Sequence, residues 1–413
     1  MKKIICIFLV FLIFTSTLFS YYSKYIETEK YSEEYEFLKN PGNFSIEESV
    51  LLSYGITSSR DISYYTTMIN QIADNIENKF NRKNKIKFAK SIFRYMHDNI
   101  LKEYESMSYR IDTLLESGKY NCVSSTIFYN ILLIKKGYNP QMVLTRDHTF
   151  TILNIDNQNI FIENTTEAGF NYINNPNLKN KDELIKNLKS NKYIVLNKKE
   201  MILSIYANRV YYIEDIKSSF QVSLKAIALE PESLSKYSNI KAGFFNYLNY
   251  LATEKNNYQK SYLIIKEALD NLNSYNFLLK RFKTEVHNYI ISLVNKNSYE
   301  KALNILNESS NIIKEKSIFN DLSFYIHTNY GSYLYNQKDY KTAINKFNIA
   351  YKIKPENDTI NKNLEAGYIM WAQNKLKNKN YRDAKKIINE GLNKFPNSPG
   401  LKQMKNYINK LKY

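Results

Sequence analysis

The sequence predicts a two-part chain, an α+β domain followed by an all-α superhelical array of helical repeats. Three observations carry that prediction. Between about 80 and 170, apolar residues first recur at helical spacing and then group into strand-like runs. In the C-terminal half four tyrosines, Tyr258, Tyr299, Tyr340 and Tyr381, stand 41 residues apart. A chain of 413 residues with 44% hydrophobic and 24% charged side chains is globular and too long for one ordinary core. Gly and Pro are scarce, at 10 and 7 residues, which favours long helices over disordered linker.

Residues 1–20 stand apart from the fold. Lys2 and Lys3 precede an apolar run from Ile4 to Phe19, the pattern of a secretory leader. The run is short for a spanning helix, which needs about 20 residues. Yet Thr15-Ser16-Thr17-Leu18-Phe19-Ser20 offers no clean small-x-small cleavage site, so a cleaved signal peptide and a retained N-terminal anchor both stay open. Either predicts an exported protein, periplasmic or in the cell envelope, touching the membrane only through residues 4–19 if they are kept. Cys6 begins the run and does not follow it, which argues against a lipidated cysteine.

The net charge of +18 would attract anionic partners. The lysines are scattered through both halves among Asn, Ile and Tyr, and they form no basic-aromatic module. There is no Gly-rich phosphate loop and no Cys/His zinc spacing, and the four histidines lie far apart. The sequence therefore predicts no nucleic-acid partner, no metal and no cofactor.

The first domain is expected over 21–200, with its core at 80–170. A helix runs from Ile86 to Leu101, with Phe88, Ile92, Phe93, Met96 and Ile100 on one face, and a short one covers Ile111 to Glu116. Ser117-Gly118-Lys119-Tyr120-Asn121 breaks it, and Cys122 opens an apolar helix that Gly137 ends. Strands follow over Gln141–Thr145, His148–Ile155 and Ile160–Glu163, the last two joined by the turn Asp156-Asn157-Gln158-Asn159. A turn centred between Asn157 and Gln158 would set Glu163 opposite Ile152, away from His148. With the leader set aside, Cys122 is the one remaining cysteine, so no intrachain disulfide forms. A free cysteine is commonly a small buried apolar residue. A helix start, however, gathers aligned peptide dipoles that favour thiolate over thiol, and backbone amides that can face an oxyanion. His97 reads as a surface or structural residue.

The second domain is expected over 205–413. Each repeat tyrosine follows a polar turn, such as Gln337-Lys338-Asp339, and precedes a small residue by three: Ser261, Ala302, Ala343 and Ala384. That is a helix, a turn marked by the tyrosine, and a second helix whose small residue permits a close crossing. Hairpins of this kind bury their apolar faces only by stacking. A degenerate first unit is expected near 205–235, with Ala226 and Pro231 in the matching places, and His287 and His327 fall in first helices of repeats.

Two resemblances sharpen these readings. Gly331, Tyr340, Ala343, Phe347, Ala350 and Pro355, and again Tyr381, Ala384, Ile388, Gly391 and Pro396, resemble the tetratricopeptide (TPR) repeat, although 41 residues exceeds that family's usual 34. This implies a groove for a protein or peptide partner. Gly118-Lys119-Tyr120-Asn121-Cys122, then Gly137-Tyr138-Asn139-Pro140, His148-Thr149-Phe150 and Glu163-Asn164-Thr165-Thr166 resemble the transglutaminase-like superfamily. The likeness implies a papain-like fold with Cys122 as nucleophile, His148 as general base and then acid, and Glu163 as the group that orients the imidazole. Asn164 is the alternative orienter, and Asn121 or Tyr120 a side-chain donor to the oxyanion. Glu163 departs from the usual Asp, and Thr149-Phe150 from the usual Ala-Trp. The implied function is an exported cysteine acyl-transfer enzyme, an amide hydrolase, protease or transferase, whose repeats recruit a protein or peptide. The alternative is a non-catalytic cell-envelope adaptor that works through the repeats alone.

Overall fold

A computed structural model describes residues 24–145, 148–174, 193–272 and 276–411. The expected leader lies outside them, and no described helix is long and apolar enough to cross a membrane. The chain divides into two compact units between 247 and 248.

In the first unit, α1 (Glu33–Lys39) and α2 (Ile46–Ser53) start at Ser32 and Ser45, whose hydroxyls accept from backbone amides of the first turn. Ser45 and Glu48 complete a reciprocal capping box. The long amphipathic α3 (Ser59–Lys79) leads to α4 (Lys85–Asn99), which buries Phe88, Ala89, Ile92, Phe93 and Met96 along one stripe. The two-residue strand β1 (Glu103–Tyr104) precedes α5 (Ile111–Ser117), which ends at Gly118 with φ of 75°. A side chain there would also run into the Ile100 carbonyl at 2.7 Å, so position 118 needs glycine twice over. β2 (Lys119–Tyr120) pairs in parallel with β1 and runs directly into α6 (Cys122–Lys135). Every residue of α6 from Ser124 to Leu133 is buried, because α4, α5 and the main sheet enclose it.

That sheet is antiparallel, in the order β5-β4-β3-β6, built from β3 (Pro140–Leu144), β4 (Thr149–Ile155), β5 (Gln158–Ile162) and β6 (Ile194–Leu196). The register of β4 and β5 corrects the sequence expectation. Asp156 and Asn157 both take positive φ, 52° and 62°, so two residues suffice to close the hairpin. Ile155 then pairs with Gln158, and Ile152 with Phe161 instead of Glu163.

The unit closes with α7 (Lys198–Tyr212), α8 (Ile216–Leu229) and the single turn α9 (Ser233–Lys236). The α7–α8 hairpin occupies the place expected of a degenerate first repeat, but it packs on α2, α1 and β3. Lys225 and Glu34 form a buried ion pair at 2.8 Å, and the Arg209 guanidinium donates to the Ser53 carbonyl at 2.7 Å. Those links hold residues 205–235 to the first unit, so the division falls about one hairpin later than the expected boundary near 205.

The division itself falls within α10 (Ser238–Thr253). The second unit continues with α11 (Tyr258–Asn271), α12 (Asn276–Asn295), α13 (Tyr299–Ser310), α14 (Lys316–Asn336), α15 (Tyr340–Ile353), α16 (Asp358–Lys377), α17 (Tyr381–Lys394) and α18 (Pro399–Lys410). Each repeat tyrosine is the first residue of its helix. Before it stand the N-caps Asn257, Ser298, Asp339 and Asn380, and before those the left-handed residues Asn256, Asn297, Lys338 and Lys379. The period is thus a period of backbone conformation as well as of side chains. Ser261, Ala302, Ala343 and Ala384 are fully buried where helices cross. The long first helices α12, α14 and α16, of 20, 21 and 20 residues, take up the length beyond the usual repeat. Each touches the next long helix, the contact that stacks the array. At Gly331 an added Cβ would lie 2.5 Å from the Phe347 ring, so the α14–α15 crossing requires glycine.

Candidate active site

The start of α6 is pinned from several directions. Asn121 is its N-cap: the side-chain oxygen accepts from the amides of Val123 at 2.8 Å and Ser124 at 3.2 Å, while Ser124 Oγ accepts from the Asn121 amide at 3.0 Å. The loop after β1 wraps this turn. Asn121 Nδ2 donates to the Ser106 carbonyl at 2.8 Å, Ser124 Oγ donates to the Ser108 carbonyl at 2.7 Å, and the Glu105 amide donates to the Tyr120 carbonyl at 2.8 Å. Cys122 is therefore held half-buried at the first helical position, with its own amide outside the bonds Asn121 makes. The same bonds correct an expectation. Asn121 Oδ1 caps the helix and its Nδ2 donates to the Ser106 carbonyl, and the Tyr120 hydroxyl donates to the Thr165 carbonyl at 3.4 Å, so neither side chain stands free for an oxyanion.

His148 sits just before β4, its backbone closed against Thr145 by reciprocal bonds: the Thr145 amide donates to the His148 carbonyl at 2.9 Å, and the His148 amide to Thr145 Oγ1 at 3.1 Å. Glu163 sits just beyond β5. Continued past Ile162, the observed register sets Glu163 beside Phe150, two residues from His148, a diagonal of about 7–8 Å that a long side chain spans. The two meet: His148 Nε2 is hydrogen-bonded to Glu163 Oε2. The extra methylene of Glu over Asp supplies reach along that diagonal. Cys122 lies close enough to the His148 ring to act on its charge. With Nε2 committed to the carboxylate, Nδ1 is the nitrogen left for the sulfur. The structure thus brings together the three residues singled out from the sequence.

Two further residues explain how Glu163 is held. Thr165, part of the Glu163-Asn164-Thr165-Thr166 motif but given no role from the sequence, donates to Glu163 Oε1 from its amide at 3.0 Å and its hydroxyl at 2.7 Å. Its signal was present as an acid followed two residues later by threonine, a spacing at which a side chain bonds the local backbone. Asn164, considered as orienter, instead donates to Thr126 Oγ1 at 3.1 Å and Thr151 Oγ1 at 3.0 Å, tying the strand end to α6. His97 packs its ring 4.5 Å from that of Phe93, within electrostatic reach of Glu163. Burial holds it below the ordinary histidine range against the pull of nearby carboxylates.

The electrostatics follow from the contacts. Burial pushes the His148 imidazolium down, but its interactions with Cys122 and Glu163 outweigh that and raise it to about 10. Burial pushes Glu163 up, yet the His148 pairing and the two Thr165 donors hold it below the ordinary carboxylate range. Among the described residues no cluster of His, Cys, Asp or Glu is arranged to hold a metal ion.

No family model matches the chain, and no curated protein matches it. Among solved structures it is similar to YrrB, described as a TPR protein with an unusual peptide-binding site. The identity is 16%, over 55% of this chain and 97% of that one, with a TM-score of 0.20. At that score the likeness carries no structural argument, and the repeat architecture rests on the helix pairs and turns described above.

Proposed function

We propose that the chain is a cysteine acyl-transfer enzyme of the transglutaminase-like class, exported to the cell envelope, whose tetratricopeptide-like repeats recruit a protein or peptide. The observation that carries the reading is the convergence of His148, hydrogen-bonded to Glu163, on Cys122 at the first residue of a buried helix. In the proposed reaction the Cys122 sulfur, its proton already taken up by His148, attacks an amide or ester carbonyl. A C–S bond forms, and the oxyanion meets the amide at the start of α6. The imidazolium then protonates the leaving amine as the C–N bond breaks, leaving a thioester. Water or an amine, deprotonated by His148, attacks the thioester and releases the thiol. Glu163 keeps Nδ1 aimed at sulfur and stabilises the imidazolium throughout.

The test uses p-nitrophenyl acetate as acyl donor and the full chain. Wild type should release a burst of p-nitrophenolate and carry acetyl on Cys122 by peptide mass spectrometry. His148→Ala should slow acylation about a hundredfold or more, and Cys122→Ala should abolish it. Acylation of wild type no faster than of His148→Ala refutes the enzyme and favours the adaptor.

A further inference from the structure

The surface around Cys122 gathers exposed aromatic side chains. Tyr104, at the end of β1, is 53% exposed, and its ring meets Tyr120, two residues before the thiol, edge to face at 5.8 Å. Its phenol lies within electrostatic reach of both Cys122 and Glu163. From there the chain continues through Met107, 63% exposed, whose neighbours Ser106 and Ser108 are bonded to Asn121 and Ser124. Next comes Tyr109, stacked on Tyr212 at 4.3 Å with the planes 12° apart. Tyr212, from the end of α7, also lies within electrostatic reach of Cys122, and Tyr211 beside it is 69% exposed. Two elements distant in sequence thus converge on one sulfur with rings and a thioether.

Packing does not require this. A ring left in water gives up the stabilisation that burying it would bring, and exposed apolar groups gathered in one patch mark a place where something docks. The charged side chains beside the rings are paired with one another, Lys119 with Glu103 and Glu105 and Arg110 with Asp112, so the rings and the thioether are what the patch offers an occupant. Met107 adds a flexible side chain that moulds to irregular apolar shapes, as a stack of flat sugar rings would not demand.

We propose that Tyr104, Met107 and Tyr211 form the specificity surface of the Cys122 site and select an acyl donor peptide with aromatic side chains next to the scissile carbonyl. This rests on the acyl-transfer reading. The donor's rings would pack on Tyr104 and Tyr211 and set its carbonyl carbon against the sulfur, so the selectivity appears in the rate of the covalent step.

The test compares three acyloxymethyl ketones on the full chain, carrying acetyl-Phe-Phe, acetyl-Gly-Gly or a hexosyl-serine in place of the Phe pair. Each alkylates a thiolate by forming an S–C bond as carboxylate leaves. Rates are normalised to iodoacetamide, which is too small to reach the rings. Wild type should prefer the Phe-Phe probe to the Gly-Gly probe by about tenfold, the order expected for burying one aromatic side chain. In Tyr104→Ala/Tyr211→Ala the preference should fall towards one, and Tyr104→Phe should keep it. Equal rates in wild type, a preference that survives loss of both tyrosines, or a faster hexosyl probe would each overturn the proposal. Should Cys122 prove inert to every reagent, the acyl-transfer reading falls on its own. Acetyl-Phe-Phe-amide is then titrated into Cys122→Ala and followed by tyrosine fluorescence. Binding that the two tyrosine substitutions remove supports the aromatic surface, and no binding overturns it.

Discussion

The two units use their buried polar side chains in opposite ways. In the first, the buried Asn121 and Ser124 bond to each other at the start of α6, the buried Asn164 bonds to Thr151 of β4, and the buried Glu163 bonds to His148 and Thr165 beyond β5. In the second, polar residues sit mainly at the turns, repeated every 41 residues as left-handed residue, cap and tyrosine, while the interior is apolar with small residues at the crossings. Glu285, fully buried and paired with Arg281 four residues before it, is one exception, and the buried Ser309 and His327 are others. The contrast separates two kinds of sensitivity. A converging network concentrates consequence on a few atoms, whereas a periodic core spreads it over equivalent positions.

Four substitutions or conditions break or sharpen that contrast. Glu163→Gln has the largest expected effect. It keeps the shape of the side chain but removes the charge that stabilises the imidazolium, so acylation of Cys122 should slow by about 10²–10⁴-fold. The melting of the repeat unit should stay put. A loss confined to stability, with acylation intact, would dissolve the network as a chemical device.

Gly331→Ala acts in the other direction. The added methyl drives into Phe347, an overpacking expected to cost about 1–3 kcal/mol in denaturant titration. Acylation at Cys122 should be untouched. If both quantities fall together, the consequence is not confined to the repeat core.

The pH dependence of stability comes next. The folded-state pKa of His148, about 10, is raised above the ordinary 6.5. Its stabilisation is therefore present in full below pH 6.5 and lost as pH rises through 10. Glu163 is held below its ordinary 4.5, so its contribution is present above 4.5 and lost as pH falls through the depressed value. The difference in melting temperature between wild type and His148→Ala should accordingly be largest at neutral and mildly acidic pH and shrink towards pH 10. A difference that grows with pH would reverse the sign assigned to the pair.

Thr165→Val should have the smallest effect, about 0.5–1.5 kcal/mol. It removes one of two donors to Glu163 Oε1 and leaves the backbone amide in place. The measurable sign is a modest loss of acylation rate, with the apparent pKa of His148 moving down.

Much of this was legible beforehand because it is periodic or local. The tyrosine register predicted the helix boundaries of the repeats, since an N-cap followed by a first-turn residue is a short-range feature. Cys122 at a helix start was equally local. The strand register was not, because it turned on whether two residues or four made the turn, and Asp156 and Asn157 adopt positive φ without a glycine to announce it. Nor could the sequence assign the α7–α8 hairpin. Its helical period is the same whether it stacks on repeats or on α2 and β3, and the deciding contacts, Lys225 to Glu34 and Arg209 to Ser53, join residues more than 150 positions apart. The β1–β2 pair was missed because two residues carry no alternation.

The most direct test of the central claim is the titration of the His148 ring, followed by NMR on protein with labelled histidine and assigned with His148→Ala. If Cys122, His148 and Glu163 act as one unit, His148 stays protonated through neutral pH, loses its proton near pH 10, and shifts down in Cys122→Ala. An ordinary titration near 6.5, unmoved by removal of the thiol, would contradict the account.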